Sequence, residues 1–320
     1  MFSKKQSAYA WSVLELDRRM ISLRKTIQVG WSILSNGYIA GFFQGNIYQG
    51  KLKNVCVPGL NCYSCPGSLG SCPIGSLQGV LGSVKYKISF YLLGFFILLG
   101  VLLGRLVCGY LCPFGLIQEI LHKIPFVKKV HTFQCDRLLR WVKYGVLLVF
   151  VILLPLFVVD SAGSGSPAFY KWICPVGTLE GGIPLVLSNP LLRNTIGALY
   201  AWKIVILAVT ILLSIMIFRP FCKYVCPLGA IYALFNKVSV YQYHLSKEKC
   251  VRCGKGEESC PMQVNPCTET NHFECIRCGK CKKACSNEAI TPGFKTREEY
   301  KKPGESAGVC LKEREMTLNE

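Results

Sequence analysis

The sequence predicts an all-α integral membrane domain of four transmembrane helices with an internal two-fold repeat, followed by a smaller C-terminal α+β domain. Three observations predict this fold class: long apolar stretches, a cysteine pattern that recurs in the same order in both halves of the apolar region, and a fall in apolar content after that region. Of the 320 residues, 51% are hydrophobic and 17% are charged. This is more apolar than is typical of a soluble domain of this length.

The composition divides the chain into four segments. Residues 1–25 mix apolar and basic side chains and are predicted to form an amphipathic cytoplasmic helix on the membrane surface. Residues 26–235 are predicted to be the membrane domain, residues 236–300 a compact cysteine-rich domain, and residues 301–320 a flexible tail.

Four apolar stretches approach the length of about 20 residues that a transmembrane helix needs. They are Thr26–Phe43, Ile88–Val107, Tyr144–Val159 and Leu199–Phe218. The flanking segments on one side carry 18 Lys and Arg residues, against 7 in the two loops on the other side. Basic residues favour the cytoplasmic side, so we expect a multi-pass protein of the cytoplasmic (inner) membrane with both termini in the cytoplasm.

Two pairs of cysteine segments match each other along the chain. Residues 72–79 (CPIGSLQG) match residues 174–181 (CPVGTLEG), and residues 105–117 (RLVCGYLCPFGLI) match residues 219–231 (RPFCKYVCPLGAI). Each half thus has a Cys-Pro loop, an apolar stretch and then Cys-x-x-x-Cys-Pro. The repeated order predicts an internal duplication, which is common in membrane carriers.

Several classes of function are not supported by the sequence. The net charge of +19 is accounted for by the basic flanks of the apolar stretches, and no nucleic-acid-binding fingerprint accompanies it, so no nucleic-acid partner is expected. None of the four histidines lies in a predicted span, which excludes a relay of bis-histidine haems across the membrane. No glycine-rich nucleotide loop and no catalytic residues are found.

The C-terminal domain contains the most specific motif, Cys275-x-x-Cys278-x-x-Cys281-x-x-x-Cys285. In this spacing three cysteines bind one [4Fe–4S] cluster and the fourth reaches a neighbouring cluster. The motif predicts a bacterial-type two-cluster ferredoxin domain. Zinc is the alternative occupant, although a zinc site needs only four thiolates.

The preceding run, which contains Cys250, Cys253 and Cys260, has the same spacing except that Gly256 stands at the third cysteine position. Crossed ligation then gives one complete cluster, bound by Cys275, Cys278, Cys281 and Cys260. The other cluster has Cys250, Cys253 and Cys285, and Cys267 is our candidate for its fourth ligand. A three-iron cluster or a non-cysteine ligand remains the alternative.

The membrane domain carries two further cysteine pairs, Cys108 with Cys112 and Cys222 with Cys226. The second cysteine of each pair precedes proline, which is favoured at the first position of a helix. Its sulfur is then expected at a helix N-terminus, which stabilises thiolate and anionic clusters. Arg105 and Arg219 precede the pairs and add positive charge. We predict that both pairs bind one cluster at the cytoplasmic boundary; free buried cysteines are the alternative.

A last group of cysteines is predicted on the opposite side of the membrane. We expect it to hold a second membrane cluster bound by Cys62, Cys65, Cys72 and Cys174. One alternative is a cluster within each repeat, bound in the first half by Cys65, Cys72, Cys108 and Cys112. Another is a disulfide between Cys56 and Cys62, which an oxidising compartment would favour.

The segments CGYLCPFG, CKYVCPLGAIY and CIRCGKCKKACS resemble the NapH-like family of membrane ferredoxin-type proteins (4Fe-4S binding proteins and polyferredoxins). That family includes the quinol-dehydrogenase subunit of periplasmic nitrate reductase systems and the membrane core of the nitrous-oxide-reductase regulator. The resemblance implies four spans, cytoplasmic termini, and electron exchange between quinol or a cytoplasmic donor and an extracytoplasmic partner.

These patterns predict an electron-transfer component of an oxidoreductase complex. Its expected donor is a ferredoxin or flavodoxin that docks near Lys280, Lys282 and Lys283, and its expected acceptor an extracytoplasmic flavoprotein or reductase. One alternative is a quinol dehydrogenase subunit that binds quinone, although the additional outer cysteines favour a continuous chain of clusters. Another alternative is a regulatory or metal-handling assembly factor.

Overall fold

The computed structural model describes residues 23–83, 90–125, 129–130, 133, 135–158, 165–194 and 196–294. Most of the predicted amphipathic helix of residues 1–25 and the whole of the predicted tail of residues 301–320 lie outside these ranges.

Most of the described chain up to residue 235 is helical. The first half contains α1 (residues 23–35), α2 (Ala40–Gln44), a short 3₁₀ helix (Lys51–Asn54), α3 (Pro73–Leu81), α4 (Phe90–Leu103), α5 (Leu106–Tyr110) and α6 (Pro113–His122). The second half contains α7 (Asp136–Phe157), α8 (Ala168–Trp172), α9 (residues 175–188), α10 (Pro190–Arg193), α11 (Ala198–Met216), α12 (Pro220–Tyr224) and α13 (Pro227–Phe235).

Proline fixes where several of these helices begin. A Cys-Pro pair precedes α3, α6, α9 and α13, so that the cysteine lies at the N-terminus and proline takes the first helical position. Proline suits that position because its missing N–H would have no intrahelical partner there. Within α7, a π-helical stretch (Leu147–Leu153) precedes Pro155, whose missing N–H disturbs the regular hydrogen-bond ladder.

Two helices among the described residues are long and apolar enough to cross a membrane, α7 and α11. The prediction of four such helices is therefore wrong on this point. The predicted span 26–43 is broken after α1 because the Tyr38 amide donates to the carbonyl of Gly67, 3.1 Å away, and the chain turns towards the cysteine loop. The predicted span 88–107 is shorter, since α4 ends before Gly104, which has a left-handed φ of 53°.

The apolar helices turn large side chains outward. Phe90 on α4 is 79% exposed, Leu138 on α7 is 71% exposed and Leu212 on α11 is 63% exposed. Apolar surfaces of this kind, on several neighbouring helices, are typical of contact with lipid.

The C-terminal part is built on one antiparallel strand pair. Strand β1 (Tyr241–Leu245) pairs with β2 (Ile290–Phe294), and two short helices lie between them, α14 (Lys255–Glu258) and α15 (Lys280–Ala284). Each of these helices follows a Cys-x-Arg-Cys-Gly turn with the same backbone. Arg252 and Arg277 have φ of 51° and 52°, and Gly254 and Gly279 have φ of 76° and 80°. The two turns therefore share one backbone conformation, although Gly256 takes the place of a cysteine after the first of them.

Candidate iron–sulfur sites

The paired cysteines of the two halves meet in one place. Cys108, Cys112, Cys222 and Cys226, the inner group, are each 4–7% exposed. The thiol of Cys226 lies within electrostatic range of the other three. The structure thus brings together cysteines more than 100 positions apart in the sequence, two from each half.

Hydrogen-bond donors point at the sulfurs of the inner group. Cys112 Sγ accepts from the Gly115 amide at the start of α6, and Cys226 Sγ accepts from the Gly229 amide at the start of α13, both over 3.4 Å. Gln118 Nε2 donates to the Cys222 sulfur over 3.1 Å. Such donors stabilise negative charge on sulfur, whether of a thiolate or of a cluster.

Two fully buried arginines cross between the halves beside this group. Arg219 Nη1 donates to the carbonyl of Cys108 over 2.5 Å, and Arg105 Nη2 donates to the carbonyl of Cys222 over 3.2 Å. Each arginine therefore bonds to the first cysteine of the other half. Among the described atoms the Nε of each arginine has no acceptor. Four thiols, inward N–H donors and two cations with unused donors fit an anionic [4Fe–4S] cluster.

The predicted outer group also converges. Cys62, Cys65, Cys72 and Cys174 come from the loop before α3 and from the start of α9, and the Cys174 thiol lies within electrostatic range of Cys72 and Cys62. Burial raises the pKa of Cys65 and of Cys72 to about 12. These thiols keep their protons at neutral pH unless a metal displaces them.

The structure groups the membrane cysteines differently from both alternatives derived from the sequence, which were a cluster within each repeat and a disulfide between Cys56 and Cys62. Cys72 lies with cysteines of the outer group and Cys112 with Cys222, rather than all within one repeat. The sulfur of Cys56, the other half of the conceivable disulfide, contacts the hydroxyl of Ser76 over 3.6 Å.

One tail group contains the complete set expected from crossed ligation. The thiol of Cys281 lies within electrostatic range of Cys275, Cys278 and Cys260. Three of these cysteines come from one motif and Cys260 from the preceding run, as the two-cluster spacing predicts.

In the second tail group, the packing of Pro266 explains why position 256 is glycine rather than cysteine. A Cβ at Gly256 would lie 2.9 Å from the ring of Pro266, so that ring fills the space of a side chain. The next residue, Cys267, has its sulfur 3.7 Å from that of Cys250. Cys253 is exposed, and Cys285 Sγ accepts from the Ala289 amide over 3.3 Å. The loop thus places the thiol of Cys267 beside that of Cys250, although position 256 has no side chain.

A binding site for a single metal ion differs in geometry from these cysteine groups. Within the part of the chain that the structure describes, no three His, Cys, Asp or Glu side chains converge closely enough to hold one ion. A cubane takes each cysteine at a different iron, so its ligands stand farther apart than those of a mononuclear site.

The tail is joined to the membrane domain by buried charges that the sequence analysis missed. Glu274 pairs with Arg105 over 2.6 Å and also with Lys143. Burial alone would raise the pKa of Glu274, but Arg105 and Lys143 outweigh it and bring the pKa to about 2. Arg277, 1% exposed, donates to the carbonyl of Leu103 over 2.7 Å. A charged residue inside a cysteine motif gives no sign in the sequence that it will be buried.

A cavity of about 300 Å³ lies beside the outer group. Cys65, Glu180 and Pro113 of α6 line it, and Asn36 adds an amide to a largely apolar wall. Burial raises the pKa of Glu180 to about 7, although its contact with the Cys62 amide favours the charged form.

Comparisons with known proteins agree with this cysteine chemistry. A family described as "4Fe-4S binding domain" matches residues 88–132 and 200–246, which contain the two halves of the inner group. The chain is 28% identical over 194 residues to an uncharacterized protein of Methanocaldococcus jannaschii, covering 59% of this chain and 69% of that protein. No solved structure gives a significant match.

Two further relatives carry names that indicate electron transport. The putative electron transport protein YccM of Escherichia coli is 28% identical over 196 residues, 59% of this chain and 50% of YccM. The methylamine utilization ferredoxin-type protein MauN of Methylorubrum extorquens is 26% identical over 257 residues, 77% of this chain and 76% of MauN. The chain thus spans between 50% and 76% of the length of these relatives.

The cysteine groups, the apolar helices and these matches define a membrane-associated iron–sulfur protein of the ferredoxin type, which functions in electron transport. More narrowly, these matches support the resemblance to the NapH-like family of membrane ferredoxin-type proteins.

Proposed function

We propose that the protein is an electron-transfer subunit that passes single electrons across the membrane. The donor is a cytoplasmic ferredoxin- or flavodoxin-like protein, and the acceptor is an extracytoplasmic flavoprotein or reductase; the direction can also be reversed. Four [4Fe–4S] clusters, two in the tail and two in the membrane domain, supply the one-electron chemistry. The cysteines that hold them are the inner group, the outer group and the two tail groups.

The observation that carries the proposal is the close contact of the tail with the inner group. A Cβ at Gly109 would lie 2.4 Å from the carbonyl oxygen of Ile276, so only glycine permits this approach. Gly109 directly follows Cys108, and Ile276 directly follows Cys275. One residue on each side thus separates a tail cysteine from a membrane cysteine, and the buried Glu274 pairs hold the two parts in place.

We also propose that the membrane domain contains an internal two-fold repeat. The helices α4–α6 and α11–α13 follow in the same order, and Cys112 and Cys226 cap equivalent helices in the same way. The exchange of arginine hydrogen bonds between the halves, and the two separate matches to one family, also support a duplication.

For the topology, we propose that α7 and α11 cross the membrane in opposite directions and that both termini are cytoplasmic. The basic segments 105–143 and 219–249 then lie in the cytoplasm, and the less basic loop 160–203 lies outside. The exposed Cys253 marks the tail group from which a soluble donor has the shortest approach. Lys282 and Lys283 on α15 remain candidates for docking an acidic donor, whereas the ammonium of Lys280 lies over the ring of Phe218 at 5.2 Å.

The number of bound irons tests the proposal. Protein purified anaerobically in detergent is expected to contain about sixteen irons and sixteen acid-labile sulfides per chain, because each cubane carries four of each. EPR during a redox titration is expected to resolve signals beyond those of the tail. About eight irons, with tail signals alone, would contradict the membrane clusters, and zinc in place of iron would contradict the whole proposal.

A second candidate function, that of a quinol dehydrogenase subunit, is favoured by the cavity beside the outer group. Its volume of about 300 Å³ and its apolar wall with the polar Asn36 and Glu180 suit a small aromatic headgroup. If this function is correct, a water-soluble quinol reduces the clusters directly.

A variant that fills the cavity tests this second function. Leu116→Trp is expected to reduce the rate of quinol-driven reduction at least on the order of tenfold, because the indole occupies the space of the headgroup. Reduction by dithionite is expected to stay unchanged. Ile120→Trp, one turn away on α6 at a side chain that is 54% exposed, is the matched control. Equal quinol rates in all three proteins would exclude the cavity as the quinol site.

A further inference from the structure

The side-chain amide of Gln118 on α6 has all its polar atoms engaged beside the inner group. Its Nε2 lies 3.1 Å from Sγ of Cys222 and 3.4 Å from the carbonyl oxygen of Phe114, one turn earlier on the same helix. Its Oε1 accepts from the Phe221 amide over 3.2 Å. Because a backbone N–H can only donate, the side chain must turn its oxygen to Phe221 and its NH₂ group to the sulfur. The three contacts therefore fix the direction of this donor.

Water does not compete for the hydrogen bond between Gln118 and Cys222. The glutamine is 1% exposed and the cysteine is 5% exposed. In a surrounding of such low dielectric constant, a hydrogen bond is electrostatically stronger than in water. The bond also joins the two halves of the chain, since α6 belongs to the first half and Cys222 to the second. The donor is therefore a constant part of the surroundings of this sulfur.

The four helices that follow a Cys-Pro pair each carry a polar side chain five residues after the proline. These side chains are Gln78, Gln118, Glu180 and Tyr232. Gln78 donates to the carbonyl of Phe150 over 2.9 Å, and Tyr232 donates to that of Pro58 over 3.0 Å. Glu180 accepts from the backbone amide of Cys62 over 2.9 Å. The first half thus directs the side chain at this position to a sulfur of the inner group, whereas the second half directs its counterpart, Tyr232, to a backbone carbonyl.

We infer that Gln118 is a positioning residue that raises the reduction potential of the inner group and so favours electron transfer to it from the tail. This inference rests on the proposed function, since it requires a cluster in the inner group. A hydrogen bond to a ligand sulfur stabilises the more negative, reduced state of a cluster, which raises its potential. The electron leaves the tail group that contains Cys275, which is oxidised, and enters the inner group, which is reduced; no bond forms or breaks and no proton moves.

A variant without the donor tests the effect on the potential. In an EPR-monitored redox titration of the full-length protein in detergent, Gln118→Met is expected to lower the midpoint potential of the inner signal and to leave the tail signals unchanged. The equilibrium constant for electron transfer from the tail to the inner group is expected to fall on the order of fivefold, as for the loss of one hydrogen bond. Gln78→Met is the matched control, because this glutamine has the same helix position and is also 1% exposed, but its donor faces a carbonyl.

Isotope labelling observes the hydrogen bond itself. Protein whose glutamine side chains carry a heavy nitrogen isotope is expected to show a nitrogen coupling on the inner signal in pulsed EPR, because Nε2 of Gln118 lies 3.1 Å from the ligand sulfur. The coupling is expected to be lost in Gln118→Met and kept in Gln78→Met. A side chain that only held the Phe221 amide in place would give no such coupling.

The outcomes separate this inference from the proposed function. An unchanged inner potential in fully loaded Gln118→Met, or an equal fall in Gln78→Met, would overturn the role of Gln118 and leave the electron carrier in place. If Gln118→Met loses the inner cluster, Gln118→Glu decides, because its carboxylate can still accept from the Phe221 amide. A lost nitrogen coupling together with a lower potential in that variant supports the inference, and a retained coupling or an unchanged potential overturns it. Absence of the inner signal from the unmodified protein would contradict the proposed function instead.

Discussion

Replacing Cys112 and Cys226 with alanine is expected to remove about four irons per chain and one EPR signal, while the tail signals remain. The two cysteines come from different halves of the chain, yet both sulfurs lie in the inner group, each at the start of a helix. A cubane that loses two of its four thiolates cannot be retained in a buried apolar site. Iron and sulfide analysis together with EPR measures the effect.

The two single variants test whether one cluster takes its ligands from both halves of the chain. Cys112→Ala alone and Cys226→Ala alone are expected to affect the same signal, because the inner group takes ligands from both halves. Cys135→Ala is the control, since that cysteine is exposed and belongs to none of the four groups. If the two single variants removed two different signals, each half would hold its own cluster, and the grouping across the halves would be incorrect.

Glu274→Gln is expected to weaken the association of the tail with the membrane domain by about 3–5 kcal/mol, because it leaves two buried cations without their anion. Those cations are Arg105 and Lys143, both fully buried. Hydrogen exchange is expected to speed up along the 272–278 loop. Reduction of the inner cluster by electrons from the tail is expected to slow, because the Gly109–Ile276 contact opens.

The pH dependence of this effect follows from the pKa of Glu274, which is about 2 in the folded protein against an ordinary value of 4.5. A lowered carboxyl pKa stabilises the fold above the ordinary value, and this contribution is lost as the pH falls through 4.5 towards 2. The difference between Glu274→Gln and the unmodified protein is therefore expected to stay constant from about pH 6 to about pH 7. Glu269→Gln, which breaks a half-exposed pair with Lys237 in the same domain, is the control and is expected to cost at most about 1 kcal/mol.

Local chemistry made some elements predictable from the sequence. Helices begin at Pro113 and Pro227 because proline after a cysteine favours the first helical position whatever surrounds it. The spacing of Cys275, Cys278 and Cys281 is sufficient to predict a cluster-binding loop, since three ligands so near in sequence must approach one another in space. The apolar character of α7 and α11 was likewise predictable from the sequence.

Other elements depended on contacts that local patterns do not encode. The break after α1 arises because Tyr38 and Ser35 bond to the distant loop around Gly67 and Leu69, which an apolar window from residue 26 to 43 cannot reveal. The helix α7 begins at Asp136 rather than at Tyr144. Its charged first turns are stable in part because Asp136 pairs with Lys223.

The sequence by itself determined the chemistry of this protein: cysteine spacing, Cys-Pro helix starts and apolar stretches each arise from residues within a few positions of one another. Tertiary structure alone decided which distant cysteines share a group, that Glu274 joins the tail to Arg105, and that Pro266 excludes a side chain at position 256. These contacts join residues far apart in the chain, which no local pattern encodes.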